Sequence, residues 1–171
     1  MHSLSVPGVA TNSLYDLNAV WQDDAGRSFQ LSELRGHPVV ISMFFATCAG
    51  ICVLTKDDLK TVEASLSSAD RERTFFVLVT LEPERDTATA LKDYRQAQNM
   101  ASGRWRLLRG SPADTARLAA QLGVLYGRDH SGLFRHSSQL VVLDTEGKIV
   151  SCQDGIHADL EKTVNMVAGI H

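Results

Sequence analysis

The sequence predicts an α/β domain in which a central sheet is covered by helices on both faces. Three observations carry that expectation. Residues 39–45 and 74–81 are apolar runs rich in β-branched and aromatic side chains, and read as strands buried on both faces. Between them, Leu59, Val62 and Leu66 fall at helical spacing. The chain has 171 residues, 44% hydrophobic and 22% charged, which is enough to bury a core of that kind as one domain.

Residues 1–13 mix Pro7, Gly8 and small polar side chains and read as a flexible tail, leaving 14–171 as a single domain. Residues 17–21 and 27–31 flank Gln22-Asp23-Asp24-Ala25-Gly26, a turn-rich segment that predicts an N-terminal β-hairpin. A short helical turn over 31–36 follows, and His37-Pro38 breaks the chain before the first buried strand. A helix is expected over 55–69, the second strand over 74–81, and a helix over 87–98 opened by Asp86 as N-cap. Residues 105–108 read as a short strand. Ser111-Pro112 opens a helix that Gly123 ends near Leu122. Residues 134–138 read as a loop, 139–143 and 148–152 as a hairpin around Asp144-Thr145-Glu146-Gly147, and 159–167 as the closing helix. Strands alternating with helices imply the layered sheet. No repeat or linker divides the domain.

Lysine and arginine number 17 against 20 acidic residues, a formal net charge of −3. That balance leaves no general basic footprint for nucleic acid or an anionic membrane surface. The most apolar stretch, residues 39–54, is too short and too interrupted for a spanning helix. Met1-His2-Ser3-Leu4 does not begin a secretory leader, so compartment has to be read from chemistry.

Chemistry concentrates at two of the three cysteines. Cys48 and Cys52 are spaced C-x3-C where a buried strand gives way to a helix. Residues i and i+4 share a helical face, and a helix N-terminus stabilises thiolate. Thiolate is both the nucleophile of disulfide exchange and the soft ligand that Cu(I) prefers. The alternative is a pair of buried structural cysteines, since Cys is among the most buried residue types. His136 offers a third group: in a parallel sheet its loop can approach the strand ends where sites collect. Two thiolates and an imidazole fall one ligand short of a closed zinc site and suit copper.

Three segments resemble the Sco/SenC family, the copper proteins that serve cytochrome c oxidase assembly. Phe45-Ala46-Thr47-Cys48-Ala49-Gly50-Ile51-Cys52 is similar to its aromatic-rich strand ending in C-x3-C. Leu78-Val79-Thr80-Leu81-Glu82-Pro83-Glu84-Arg85-Asp86-Thr87 resembles its V-[ST]-x-D-P-x-R-D-T segment. His136-Ser137-Ser138-Gln139-Leu140-Val141-Val142-Leu143-Asp144 resembles its H-S-x-x-x-Y-L-I-D strand. The resemblance spans residues 14–157 and implies a thioredoxin-like fold, with a central mixed sheet, helices on both faces and the N-terminal hairpin. It implies Cys48, Cys52 and His136 as copper ligands for Cu(I) or Cu(II). Implied partners are a copper donor and an acceptor cuproprotein such as a cytochrome c oxidase subunit. The implied place is extracytoplasmic, in the bacterial periplasm facing the inner membrane or in the mitochondrial intermembrane space, with any membrane anchor outside this chain.

The chain departs from the pattern at Val53, where the family carries Pro, at Arg135, where it carries Asp, and at Glu82, which replaces an Asp. Arg135 beside the imidazole is expected to offer no acceptor and to disfavour its charged form. Asp129-His130-Ser131 imitates the missing Asp-His-Ser triplet, but only His136 keeps the following strand in register. Glu82, Glu84, Arg85 and Asp86 read most simply as a loop and helix cap, with support of the site's ligands as the alternative, His37 and His157 as surface residues, and Met43 as core. Cys152 reads as a small buried hydrophobe, and Arg104, Arg106 and Arg109 as a solvated face. The competing functions are a thiol–disulfide oxidoreductase using Cys48 and Cys52 as its catalytic redox pair, and a thiol peroxidase. Oxidoreductases of this fold carry C-x2-C and a proline ahead of the later strand, where this chain has C-x3-C and His136.

Overall fold

The computed structural model describes residues 12–47, 51–100, 103–132, 134–154 and 159–171. The chain enters on a 3-10 turn, Leu14–Asp16, whose N-cap Ser13 accepts a hydrogen bond from the Tyr15 N–H. Ser13 donates its hydroxyl to the Glu146 carbonyl, and the Leu14 N–H donates to the Gly147 carbonyl at 2.9 Å. Trp21–Asp23 (β1) and Ser28–Phe29 (β2) then pair antiparallel as the expected hairpin. The first strand begins at Trp21 rather than ending there. Asp23 accepts from the Ala25 and Arg27 N–H groups, each at 2.9 Å, so the turn closes over residues 24–27.

A 3-10 turn, Leu31–Leu34, leads to Val39–Phe44 (β3), buried at every position. Ile51–Ser65 (α1) begins earlier than the sequence suggests and stops short of a second helix, Ser68–Arg73 (α2). Ser67 causes that break, its hydroxyl accepting from the Asp70 N–H at 3.2 Å. Phe75–Thr80 (β4), Ala88–Ala97 (α3), Trp105–Arg109 (β5) and Pro112–Leu122 (α4) follow. Ser111 caps α4, and Gly123 ends it at φ 72°, a left-handed conformation glycine adopts without steric cost. Tyr126–Arg128 (β6) and Phe134–His136 (β7) form a separate two-stranded sheet where a loop is expected. Gln139–Leu143 (β8), Ile149–Asp154 (β9) and Leu160–Ala168 (α5) complete the described chain.

The main sheet runs in the order β2-β1-β5-β4-β3-β8-β9. β3, β4 and β5 are parallel, with Val39 beside Phe75 and Phe44 beside Thr80. β8 lies antiparallel to β3, Ile41 beside Val141, which corrects the parallel approach expected for the His136 segment. After the β6–β7 hairpin the chain stands where β3 stops, so β8 can leave only in the reverse direction. Val39, Ile41 and Met43 face a core closed by α4 and the N-terminal segment, through Leu118, Leu122, Trp21 and Leu14. Val40 and Phe44 face the opposite core, closed by Leu59 and Val62 of α1, Leu91 of α3 and Val167 of α5. Each such large side chain, once buried, contributes about 1.5–3 kcal/mol. The result is a thioredoxin-like mixed sheet covered by helices on both faces. Among the described residues, no helix is long and apolar enough to cross a membrane.

Two minor expectations fail. Cys152 is exposed, because it falls on the outward phase of the edge strand β9. Arg104 and Arg106 are not simply solvated: their guanidiniums lie over the Phe75 ring at 4.9 and 5.0 Å.

The β1–β5 seam depends on a close approach. A Cβ placed on Gly110 would lie 2.5 Å from the Trp21 ring, which is itself buried. Gly110→Ala is therefore expected to destabilise the protein by about 1–3 kcal/mol, read as a lower midpoint in urea at unchanged slope.

Candidate metal centre

β3 runs out through Phe45, Ala46 and Thr47 towards the first of the paired cysteines. Cys48 lies outside the described residues. Cys52 is placed by its backbone in the first turn of α1, and its side chain lies outside the description. That turn carries no acidic residue, so the positive end of α1 is left to favour an anionic sulfur.

The end of β3 is held from three sides. The Leu81 N–H donates to the Phe44 carbonyl at 2.7 Å, extending the β3–β4 ladder. Asp86, 2% exposed, accepts from the Ala46 N–H at 2.8 Å and from the Thr80 hydroxyl at 2.6 Å. Its sequence role as N-cap of α3 is corrected: Thr87 caps that helix, accepting from the Ala90 N–H at 3.2 Å, and frees Asp86 to turn inward. Arg109 secures the same loop from β5. Its guanidinium donates to the Asp86 and Pro83 carbonyls at 3.0 and 2.6 Å and to the Gln22 side chain at 2.9 Å. Arg109 is thus a strut and not part of a solvated face.

His136 comes to this end on β7. Its ring meets the Phe45 ring edge-on, with centroids 5.4 Å apart and planes at 74°. Two residues beyond, the buried Ser138 hydroxyl is hydrogen-bonded to the Thr55 hydroxyl of α1. Ser42 of β3 donates to the Gln139 carbonyl at 2.7 Å. The His136 segment is therefore tied both to the helix that carries Cys52 and to the strand that leads to Cys48. A carbonyl can only accept, so the 2.7 Å contact to the Ser137 carbonyl fixes the proton on Nδ1 and leaves Nε2 with its lone pair. Burial pushes the His136 pKa below 6.5, against an opposing pull from the Ser137 carbonyl. Burial outweighs that pull, so the fold favours the neutral imidazole.

The orienting acceptor is thus the backbone, and the role expected for Arg135 does not arise. The Arg135 Nε donates to Asp129 at 2.6 Å, holding the guanidinium at the hairpin tip. His130 sits exposed at that tip, while His136 stands opposite Tyr126 at the base. His37 is half-buried rather than superficial, its ring edge-on to Phe75 at 4.9 Å. His157 lies outside the described residues. Met43 is core. Thr55 and Arg109 were not legible as parts of the site, since each acts through a partner distant in sequence, whereas Asp86 and Ser138 fall within the segments that carry the resemblance.

A family model described as SCO1/SenC matches residues 15–170. The SCO2-like protein RT0576 of Rickettsia typhi is 25% identical over 134 residues, covering 75% of this chain and 64% of that protein. The chain thus spans less than two thirds of that relative's length. Among solved structures, a SCO1/SenC family lipoprotein from Bacillus anthracis superposes with a TM-score of 0.79 at 20% identity, over 92% of this chain and 96% of that one. Yeast Sco1 with copper bound superposes with a TM-score of 0.71 at 23% identity, over 90% and 88%.

Two outcomes follow from the geometry. Asp86→Ala leaves the Ala46 N–H and the Thr80 hydroxyl unpaired in a buried place, and is expected to cost about 2–3 kcal/mol in chemical denaturation. In the metal-free protein, the unfolded chain takes up a proton at His136 at higher pH than the folded one. Stability should therefore fall as pH drops below about 6.5, and His136→Gln should make that slope shallower in denaturation curves taken across the range.

Proposed function

The chain belongs to the SCO1/SenC family, and from that premise we propose that it is a copper-binding metallochaperone holding its metal through Cys48, Cys52 and His136. The observation that carries the reading is the packing of the His136 ring on Phe45, at the strand end leading into Cys48. The copper held by the yeast Sco1 neighbour supports the same cargo here. The acceptor is a cytochrome c oxidase copper site or another extracytoplasmic cuproprotein, in the bacterial periplasm or the mitochondrial intermembrane space.

Each residue has a distinct part. Cys48 and Cys52 supply thiolates, the soft donors Cu(I) asks for, and the first turn of α1, free of acidic residues, favours the anionic form of sulfur there. His136 supplies Nε2, with Nδ1 anchored on the Ser137 carbonyl so that the ring does not turn away. Cu(II) favours a tetragonal field with nitrogen donors, so it depends on the imidazole more than Cu(I) does. Transfer then proceeds by ligand exchange, the acceptor's donors replacing these three in turn. Metal-free, the two thiols can close to a disulfide by exchange with a partner's disulfide, which takes the two electrons and two protons and becomes a dithiol; that is the chemistry an oxidoreductase would use.

Thermal melts of reduced protein test the reading. Copper at 100 times its dissociation constant should add about 2.7 kcal/mol to wild type. Cys48→Ser and Cys52→Ser should lose the shift with both oxidation states, and His136→Ala chiefly with Cu(II). A wild type without any copper-dependent shift would sink the chaperone and leave the thiol–disulfide oxidoreductase. Loss of the Cu(II) shift in His130→Ala instead would move the nitrogen ligand to the hairpin tip.

The redox pairing is checked separately. A thiol count in air against one after reductant should differ by the Cys48–Cys52 pair, with Cys152 unchanged. A bond involving Cys152 would contradict the pairing.

A further inference from the structure

Resting on the assignment of His136 to the metal, we propose that Glu82 and Arg128 form a clamp holding the β6–β7 hairpin against the end of the main sheet. A hairpin of two short strands is marginal by itself. Every residue of Tyr126–Arg128 is exposed, so contacts to the body have to keep it seated. Arg128 reaches Glu82 at 3.3 Å, the Arg128 side chain 51% exposed and the Glu82 side chain 7%. The same guanidinium donates to the Gly132 carbonyl at 3.0 Å. One side chain thus grips its own turn and the loop after β4 together. Arg128 shares β6 with Tyr126, whose Cα partner across the hairpin is His136.

The asymmetry of exposure makes the clamp directional. Arg128 can return to water at little cost, but Glu82 cannot lose its cation without leaving a buried carboxylate uncompensated. Lifting the hairpin is opposed at Glu82, and the imidazole stays edge-on against Phe45. Glu82 stands where the resemblance leads one to expect Asp. The shorter side chain would withdraw the acceptor by about one C–C bond, roughly 1.5 Å, and fall short of Arg128. Glu82 and Arg128 also line a cleft of about 230 Å³ between the hairpin, the loop after β4 and the start of α4. Glu82 and Arg128 are positioning residues: they set how firmly His136 is held where Cu(II) needs it, and leave the thiolates alone.

Amide hydrogen exchange on the metal-free full chain, followed by titration with Cu(II) and Cu(I), tests the clamp. Arg128→Gln, Glu82→Gln and Glu82→Asp should each speed exchange across the β6–β7 ladder by about tenfold, with the β3–β4 ladder unchanged. Arg128→Lys should recover part of the protection. The Cu(II) dissociation constant should rise in the same order among variants, and the Cu(I) constant should not. Unchanged β6–β7 exchange in all three variants overturns the clamp whatever copper does. Faster exchange with unaltered Cu(II) binding upholds the clamp and instead overturns the assignment of His136 to the metal.

Discussion

Everything at the candidate centre depends on the pairing of β3 on both of its edges. Val39–Phe44 is buried throughout, so its backbone polar groups have no water to turn to and must be met by β4 on one side and β8 on the other. The two neighbours run in opposite senses. The end of β4 and the start of β8 therefore arrive together where β3 stops. β4 delivers Thr80, whose hydroxyl donates to Asp86, and Asp86 in turn accepts from the Ala46 N–H of the outgoing chain. β8 delivers, just upstream of itself, Ser138 and His136. A sulfur-bearing turn and an imidazole meet because one buried strand needed two partners.

Much of this was legible in the sequence, and the rest fails for physical reasons. Buried strands announce themselves by continuous apolar character, and residues 39–45 and 74–81 become β3 and β4 with little change. Ser111-Pro112 and Gly123 act locally, and α4 begins and ends where they indicate. Apolar pattern carries no sense of direction, however, so nothing in residues 139–143 says that β8 runs against β3. Asp86 and Thr87 are both competent caps. Asp86 is drawn instead to the Ala46 N–H, far away in the chain, which leaves the cap to Thr87. Tyr126-Gly127-Arg128 has no apolar alternation, so the strand carrying the Glu82 contact reads as loop. The parity of an edge strand decides Cys152, and one residue's difference in phase turns it outward.

Several of the described arginines pin the carbonyls of loops and helix ends. Arg109 closes carbonyls of the loop after β4, and Arg73 does the same for the end of α5, at Ile170 and Val167. Arg95 joins Asp24 of the β1–β2 turn to the carbonyls of Met100 and Trp105. A planar fork with several donors suits that work better than an ammonium would. Long cationic side chains are thus spent on pinning loops, and the imidazole near Phe45 is left with burial as the main influence on its charge.

The reversed direction of β8 has an evolutionary corollary. His136 is addressed from β8, by counting back from a strand whose register against β3 is locked on two faces. The segment between Arg128 and Phe134 lies on the far side of that address. A change of length there alters the exposed turn that Arg128 closes on Gly132, while the count from β8 back to the imidazole stays the same. A histidine such as His130, situated within that segment, inherits no fixed position and drifts with every change in length.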